Sequence, residues 1–215
     1  MKHLLFTFIT LSLLTAFPIL AGADATDIAE NNQLIRPLLP GQTIDNVCLQ
    51  DINKQEVCTD DLFAQKPSVL IVYRGGWCPY CNAQLNQIKQ VEKGILQLGY
   101  QIIAMSPDSN KNITEQQKRE NIDYPLLTDN ELTLSKELGL AYFLAPKTAM
   151  KYKNKLGVPF IDIKGEDRVA LPAPAIYIID KKGMVHFQYV NPDFKVRLNE
   201  KLLLSAARLL KADLD

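Results

Sequence analysis

The chain has 215 residues, with 24 Lys+Arg against 24 Asp+Glu, four cysteines and two histidines. Zero formal net charge removes the electrostatic pull toward nucleic acid or an anionic membrane surface, and two histidines cannot build a multi-histidine metal centre. The length predicts one domain whose core is large enough to fold without staples, so an even number of cysteines asks for another reason.

Residues 1–23 read as a secretory signal peptide. Met1-Lys2-His3 is a short positive start, Leu4 to Leu20 is almost wholly apolar, and Ala21-Gly22-Ala23 is a small-x-small cleavage pattern. Ala23-Asp24-Ala25 is a second candidate cut. A membrane anchor is the competing reading. The apolar run falls a little short of the roughly 20 residues a span requires, and Pro18 favours cleavage. No cysteine follows the run, so a lipid anchor is not suggested. The expectation is a periplasmic protein in an oxidising compartment, with no membrane contact after cleavage and His186 as the one mature histidine.

Residues 24–37 are polar, and with Pro37 and Pro40 close by they are expected to be loosely held. The domain is expected to run from 38 to 215. Val47 to Gln50 and Glu56 to Cys58 flank a polar turn and predict a β-hairpin. Val69 to Tyr73 is a continuous apolar, β-branched run, the mark of a strand buried on both faces. It breaks at Gly75-Gly76. Cys78 onward predicts a helix, with Leu85, Ile88, Val91, Ile95 and Leu98 on its apolar face and Gly99 at its end. A strand over 100–105, a polar helix over 110–121, a short strand over 124–127 and a short helix over 131–138 follow. The segment 140–172 fits this alternation least well and reads as an insertion with one short helix. Its Lys147, Lys151, Lys153 and Lys155 read as a solvated face, with an acidic partner as the alternative. Ala175 to Ile179 predicts a second fully buried strand, turned by Lys181-Lys182-Gly183 into an antiparallel partner over 184–190. A long helix over 194–214, with Leu198, Leu202, Ala206, Leu209 and Leu210 on its packed side, closes the chain. The order predicts an α/β fold, a mixed central sheet with helices on both faces.

The chemistry lies at the junction after the first buried strand. Cys78-Pro79-Tyr80-Cys81 opens a helix there. A thiolate is the nucleophile in sulfur chemistry, and the unpaired N–H groups of a first helical turn stabilise its charge. Pro79 falls near the first helical position, where its missing N–H is tolerated. Cys78 is expected to be the exposed, low-pKa nucleophile and Cys81 the resolving cysteine, with Trp77 shielding the site. Two readings compete: half of a zinc site shared with Cys48 and Cys58, or a purely structural disulfide. Ten-residue spacing of Cys48 and Cys58 argues against zinc, and a glycine-flanked helix start is a poor place to hide a disulfide. Cys48 and Cys58 themselves are equidistant from a turn near Asn53, so they face each other across the hairpin. A structural bridge is expected, and a second redox-active pair is the alternative. His186 is read as a partly buried strand residue rather than a catalytic base.

Three stretches together resemble the thioredoxin superfamily, and in particular the peroxiredoxin-like branch of the alkyl hydroperoxide reductase/thiol-specific antioxidant (redoxin) family. They are YRGGWCPYCNAQL at 73–85, LTDNELTLSKELGLAY at 127–142 and LPAPAIYIIDKKGMVHFQYVNPDF at 171–194. The resemblance implies a thioredoxin-like fold, with the N-terminal hairpin and an insertion before a cis-proline strand. It implies a cis bond at Pro174 and backbone hydrogen bonds from Ala173 to an incoming peptide or disulfide, with Trp77, Tyr80 and Pro174 shaping the contact surface. The family's peroxide motif is P-x-x-x-T-x-x-C with a later arginine. Aligned on Cys81, its Thr position is Cys78, its Pro position is Arg74 and its later Arg position is Pro174. These departures favour dithiol–disulfide exchange over peroxide reduction.

The leading expectation is therefore an extracytoplasmic thiol–disulfide oxidoreductase with Cys78 attacking and Cys81 resolving. It requires a protein disulfide or dithiol partner and an electron donor that the sequence does not name, and no metal or organic cofactor. A thiol peroxidase with Cys81 as the peroxidatic cysteine is the enzymatic alternative. A redox-inert binding module on the same fold is the third.

Overall fold

The computed structural model describes residues 28–156 and 168–214. The expected signal peptide lies outside the described residues, as does the segment 157–167 of the insertion. No helix among the described residues is long and apolar enough to cross a membrane.

The chain begins with β1 (Cys48–Asp51) and β2 (Glu56–Cys58), then α1 (Thr59–Gln65), β3 (Ser68–Val72) and α2 (Pro79–Gln97). Next come β4 (Gln101–Ser106), α3 (Asn110–Glu120), β5 (Leu126–Thr128) and α4 (Thr133–Glu137). The insertion contributes β6 (Ala141–Phe143), α5 (Pro146–Leu156) and β7 (Ala170–Pro172). The chain closes with β8 (Ala175–Ile179), β9 (Val185–Val190) and α6 (Glu200–Leu214). One seven-stranded sheet runs β2-β1-β5-β4-β3-β8-β9, and β6 and β7 form a separate pair. β3 pairs parallel with β4 and antiparallel with β8, so the sheet is mixed as expected.

The period of two in a strand splits the core cleanly. Val69, Ile71, Ile102, Ile176 and Ile178 point to one face, which α2, α3 and α6 cover with Leu85, Ile88, Ile113 and Leu203. Leu70, Val72, Ile103, Met105, Tyr177 and Ile179 point to the other, toward α1, α4 and the insertion. The strands β3 and β8 are buried along their whole length, which is why their sequences do not alternate. Gly99 (φ +91°) ends the α2 segment, as its position predicted.

Three expectations are corrected. The segment before the domain is tied down from Ile28 onward rather than loosely held. Ala29 bridges Tyr142, and the Arg36 and Leu38 N–H groups donate to the carbonyls of Gly139 and Leu138. At Gly139 (φ +64°) a Cβ would stand 1.9 Å from the Arg36 carbonyl oxygen, so only glycine lets that segment lie down. The last helix starts at Glu200 and buries Leu203, Ala207 and Leu214, whereas Leu202 and Leu209 are 55% and 79% exposed. Its leucine-rich sequence offers apolar residues on several faces, so periodicity alone points one residue off. Finally, the described residues contain no cis peptide bond, so Pro174 follows a trans bond. Ala173 and Pro174 link β7 to β8, the Ala173 N–H is donated to Leu140 O, and the bond before Pro174 keeps the ordinary trans preference.

Candidate active site

β3 ends at Val72 and α2 begins at Pro79, so Tyr73 to Cys78 form the turn that leads into the cysteine pair. Gly75 and Gly76 are required there. At Gly75 (φ +142°) a Cβ would meet Trp77 Nε1 at 2.3 Å and Asp108 Oδ2 at 2.8 Å; at Gly76 it would meet Gln116 at 2.8 Å. The turn is then held from outside. Gly76 N–H donates to Asp108 Oδ2 at 2.7 Å, and Asn82 Nδ2 donates to Gly76 O at 2.9 Å. Gln116 Nε2 donates to Asn82 Oδ1, and Tyr73 donates its hydroxyl to Gln116 Oε1. Burial raises the Asp108 carboxyl above the usual carboxylate range, against the pull of the Gly76 N–H.

Cys78 is the N-cap of α2 and Pro79 its first residue, as the sequence predicted. Both Cys78 and Cys81 are thiols. The Cys78 thiol is lowered to about 6, first by the hydrogen bond from the Cys81 side chain, and further by the Cys81 backbone N–H, Arg74 and Arg197, all against burial. Burial pushes the Cys81 thiol well up, and a negative Cys78 beside it adds to that. Cys78 is the lowered thiol of the two, but it is not exposed as expected: it is only 1% exposed. Its position between two packed layers, with Trp77 packed against the same cluster, takes the sulfur out of solvent.

Two arginines complete the site. Arg74, itself 1% exposed, lays its guanidinium 4.1 Å from the Phe194 ring centroid and just over 5 Å from those of Trp77 and Tyr152. Its Nη2 donates to the Tyr152 hydroxyl at 3.2 Å. Trp77 and Tyr152 meet edge to face at 5.3 Å, which brings the insertion helix α5 into the site. Arg197 Nη2 donates to Cys81 Sγ at 3.3 Å. Tyr80 is exposed at the rim and packs edge-on against Phe194 at 5.7 Å.

The expected substrate contacts therefore divide. Trp77 and Tyr80 lie at the site. Ala173 is fully buried with its N–H already donated to Leu140 O, so it does not present backbone to a ligand. Pro174 is buried too, beside the end of β3, because Val72 pairs with Ala175. Sequence reasoning missed Arg197, Phe194, Tyr152 and the Asp108–Gln116 brace. Arg74 entered the sequence reading only as the residue at the family's Pro position.

Cys48 and Cys58 are paired in β1 and β2 and joined by a disulfide. β5 and β4 separate their hairpin from β3, so the two cysteine pairs do not converge on a metal. His186 is bonded to Asp180 at 3.1 Å in the β8–β9 turn region, which fits a structural histidine. The described lysines of the insertion, Lys147, Lys151 and Lys153, are exposed, as a solvated face requires.

Residues 40–188 match the AhpC/TSA family. The chain belongs to that family and is a thiol-dependent oxidoreductase. No curated protein matches it in sequence. Among solved structures it is similar to the peroxidoxin BcpB from Mycobacterium tuberculosis, at 17% identity and a TM-score of 0.62, over 80% of this chain and 97% of that one. It is similar to reduced Prx3 in complex with H2O2 from Vibrio vulnificus, at 20% identity and a TM-score of 0.65, over 79% of this chain and 99% of that one. Peroxiredoxin Q from Xanthomonas campestris matches at 16% identity with a TM-score of 0.60, over 82% and 98% of the two chains. These likenesses establish the peroxiredoxin-type thioredoxin fold for the described chain.

Proposed function

We propose that this AhpC/TSA protein is an extracytoplasmic thiol–disulfide oxidoreductase that works through Cys78 and Cys81. The observation that carries the reading is the asymmetry of the pair: a thiol lowered to about 6 at a helix start, hydrogen-bonded to a buried thiol pushed up. Cys78 thiolate attacks a substrate disulfide, forms a mixed disulfide and releases one thiol. Cys81 then attacks Cys78 Sγ, closing the Cys78–Cys81 bond and releasing the second thiol. The pair loses two electrons and the substrate gains them. A dithiol partner returns the electrons by the reverse exchange. Burial of Cys78 means that Trp77 and its neighbours must shift for a disulfide to reach the sulfur. The extracytoplasmic setting rests on the leader-like first 23 residues and on the Cys48–Cys58 disulfide, which suits an oxidising compartment.

A second reading, peroxide reduction, is favoured by the family and by the guanidinium on Cys81 Sγ. There Cys81 thiolate attacks the peroxide O–O bond, taking one oxygen as a sulfenic acid and releasing an alcohol or water. Cys78 then condenses with it, forming the disulfide and water. The raised Cys81 thiol weighs against this order of attack. One pair of variants separates the readings. Under exchange, Cys81→Ser accumulates mixed disulfides on Cys78. Under peroxide reduction, Cys78→Ser consumes one equivalent of peroxide and leaves a trappable sulfenic acid on Cys81.

A further inference from the structure

Arg197 stands 116 positions from Cys81 in the chain, in the loop between β9 and α6, yet its guanidinium is fixed on three sides. Nε donates to Phe194 O at 2.7 Å, Nη1 to Gln84 Oε1 at 2.8 Å and Nη2 to Cys81 Sγ at 3.3 Å. Gln84 lies three residues after Cys81 on α2 and is buried, so acceptor and sulfur share one helix face. Among the described residues no carboxylate pairs with Arg197. With two of its donors on neutral oxygens and no carboxylate against it among the described residues, the cation sets its charge beside the Cys81 sulfur. The planar fork of arginine makes these three contacts together, which a lysine ammonium on a flexible stem does not reproduce.

We propose that Arg197 is a catalytic residue of the resolving step, stabilising the negative charge on Cys81 Sγ as Cys81 attacks the mixed disulfide. The inference rests on the exchange reading. In that step Cys81 Sγ gives up its proton, its electron pair forms the bond to Cys78 Sγ, and the Cys78–substrate S–S bond breaks. The proton ends on the departing thiol. Burial opposes ionisation of Cys81, and the Arg197 charge works against that opposition. Cys78 feels Arg197 least among its influences, so the first attack depends on it less.

The test uses the aromatic disulfide 5,5′-dithiobis(2-nitrobenzoate) and the full mature protein. The chromophoric thiol leaves once when Cys78 attacks and once when Cys81 resolves, so the two rates are read separately. An opposite charge in contact is worth about 1–3 pKa units, so Arg197→Met is expected to lower the ratio of second to first rate at least about tenfold. The pH midpoint of the second release is expected to rise. Arg197→Lys keeps the charge and is expected to retain the ratio within about threefold of the native protein. If Arg197→Met does not fold, Gln84→Met removes one orienting acceptor and lowers the same ratio by a smaller factor. A folded Arg197→Met with an unchanged ratio and midpoint, while the native protein releases both equivalents, overturns the role of Arg197 alone. A native protein that releases no first equivalent overturns the exchange reading and this inference with it.

Discussion

Cys48 and Cys58 face each other on the outer hairpin of the sheet, joined by a disulfide. Cys78 and Cys81, beyond the two intervening strands β5 and β4, stay as thiols at the junction of β3 and α2. The same side chain thus serves two purposes, and the surroundings decide which. The outer pair has no arginine beside it in the contacts described; Cys58 also stands at a helix start, that of the short α1, but its sulfur is tied into the disulfide, whose effect is to close the loop of the hairpin. The inner pair has a helix N-terminus, two guanidinium groups and a glycine turn that admits no Cβ. Spacing set the pairing, ten residues across a turn against three at a helix start. The lowering of Cys78 comes first from its neighbour Cys81 and from Arg74, and Arg197 adds a contribution from far along the chain.

Four experiments sharpen or break that contrast. Cys78→Ser is expected to lower turnover with a disulfide substrate by about a thousandfold or more, because it removes the proposed nucleophile. Loss of equal size in the Cys48→Ala/Cys58→Ala variant would merge the two pairs into one redox system. That double variant is instead expected to keep turnover near native and to lose up to about 3 kcal/mol of unfolding free energy, read by urea titration. Gly75→Ala is expected to lose about 1–3 kcal/mol through backbone strain and contact with Trp77, and to slow Cys78 chemistry as the turn shifts. The pH profile of iodoacetamide alkylation separates the pairs most gently. A thiol lowered to about 6 is ionised above that pH and loses its charge as pH falls through it. Alkylation of Cys78 should therefore rise about tenfold from pH 5 to pH 7 and then level off. An ordinary thiol would keep rising beyond pH 8.

Much of this was legible in the sequence, for identifiable reasons. β3 and β8 are buried runs rich in β-branched residues, and α2 opens on a cysteine N-cap followed by proline. Cys48 and Cys58 fall symmetrically about a turn, and the register pairs them. What escaped was set by contacts distant in sequence. Nothing local marks Phe194 and Arg197 as site residues, since the β9–α6 loop reads as the start of a helix until α2 is placed beneath it. The pairing of β6 with β7 spans the whole insertion, so neither short strand declares itself. Ala29 and Arg36 order the segment before the domain only because β6 and Gly139 are there to receive them. The burial of Cys78 was invisible for the same reason: Arg74 and its aromatic neighbours converge from three separate stretches.

In the proposed exchange Cys78 attacks first and Cys81 resolves, and one trap addresses that order directly. Cys81→Ser protein is mixed with a peptide disulfide and analysed by peptide mass mapping. The account predicts a stable mixed disulfide on Cys78, at close to one per chain. An unmodified Cys78 in a folded Cys81→Ser protein would contradict it, all the more so if peroxide rapidly converted Cys81 of the Cys78→Ser protein to a sulfenic acid.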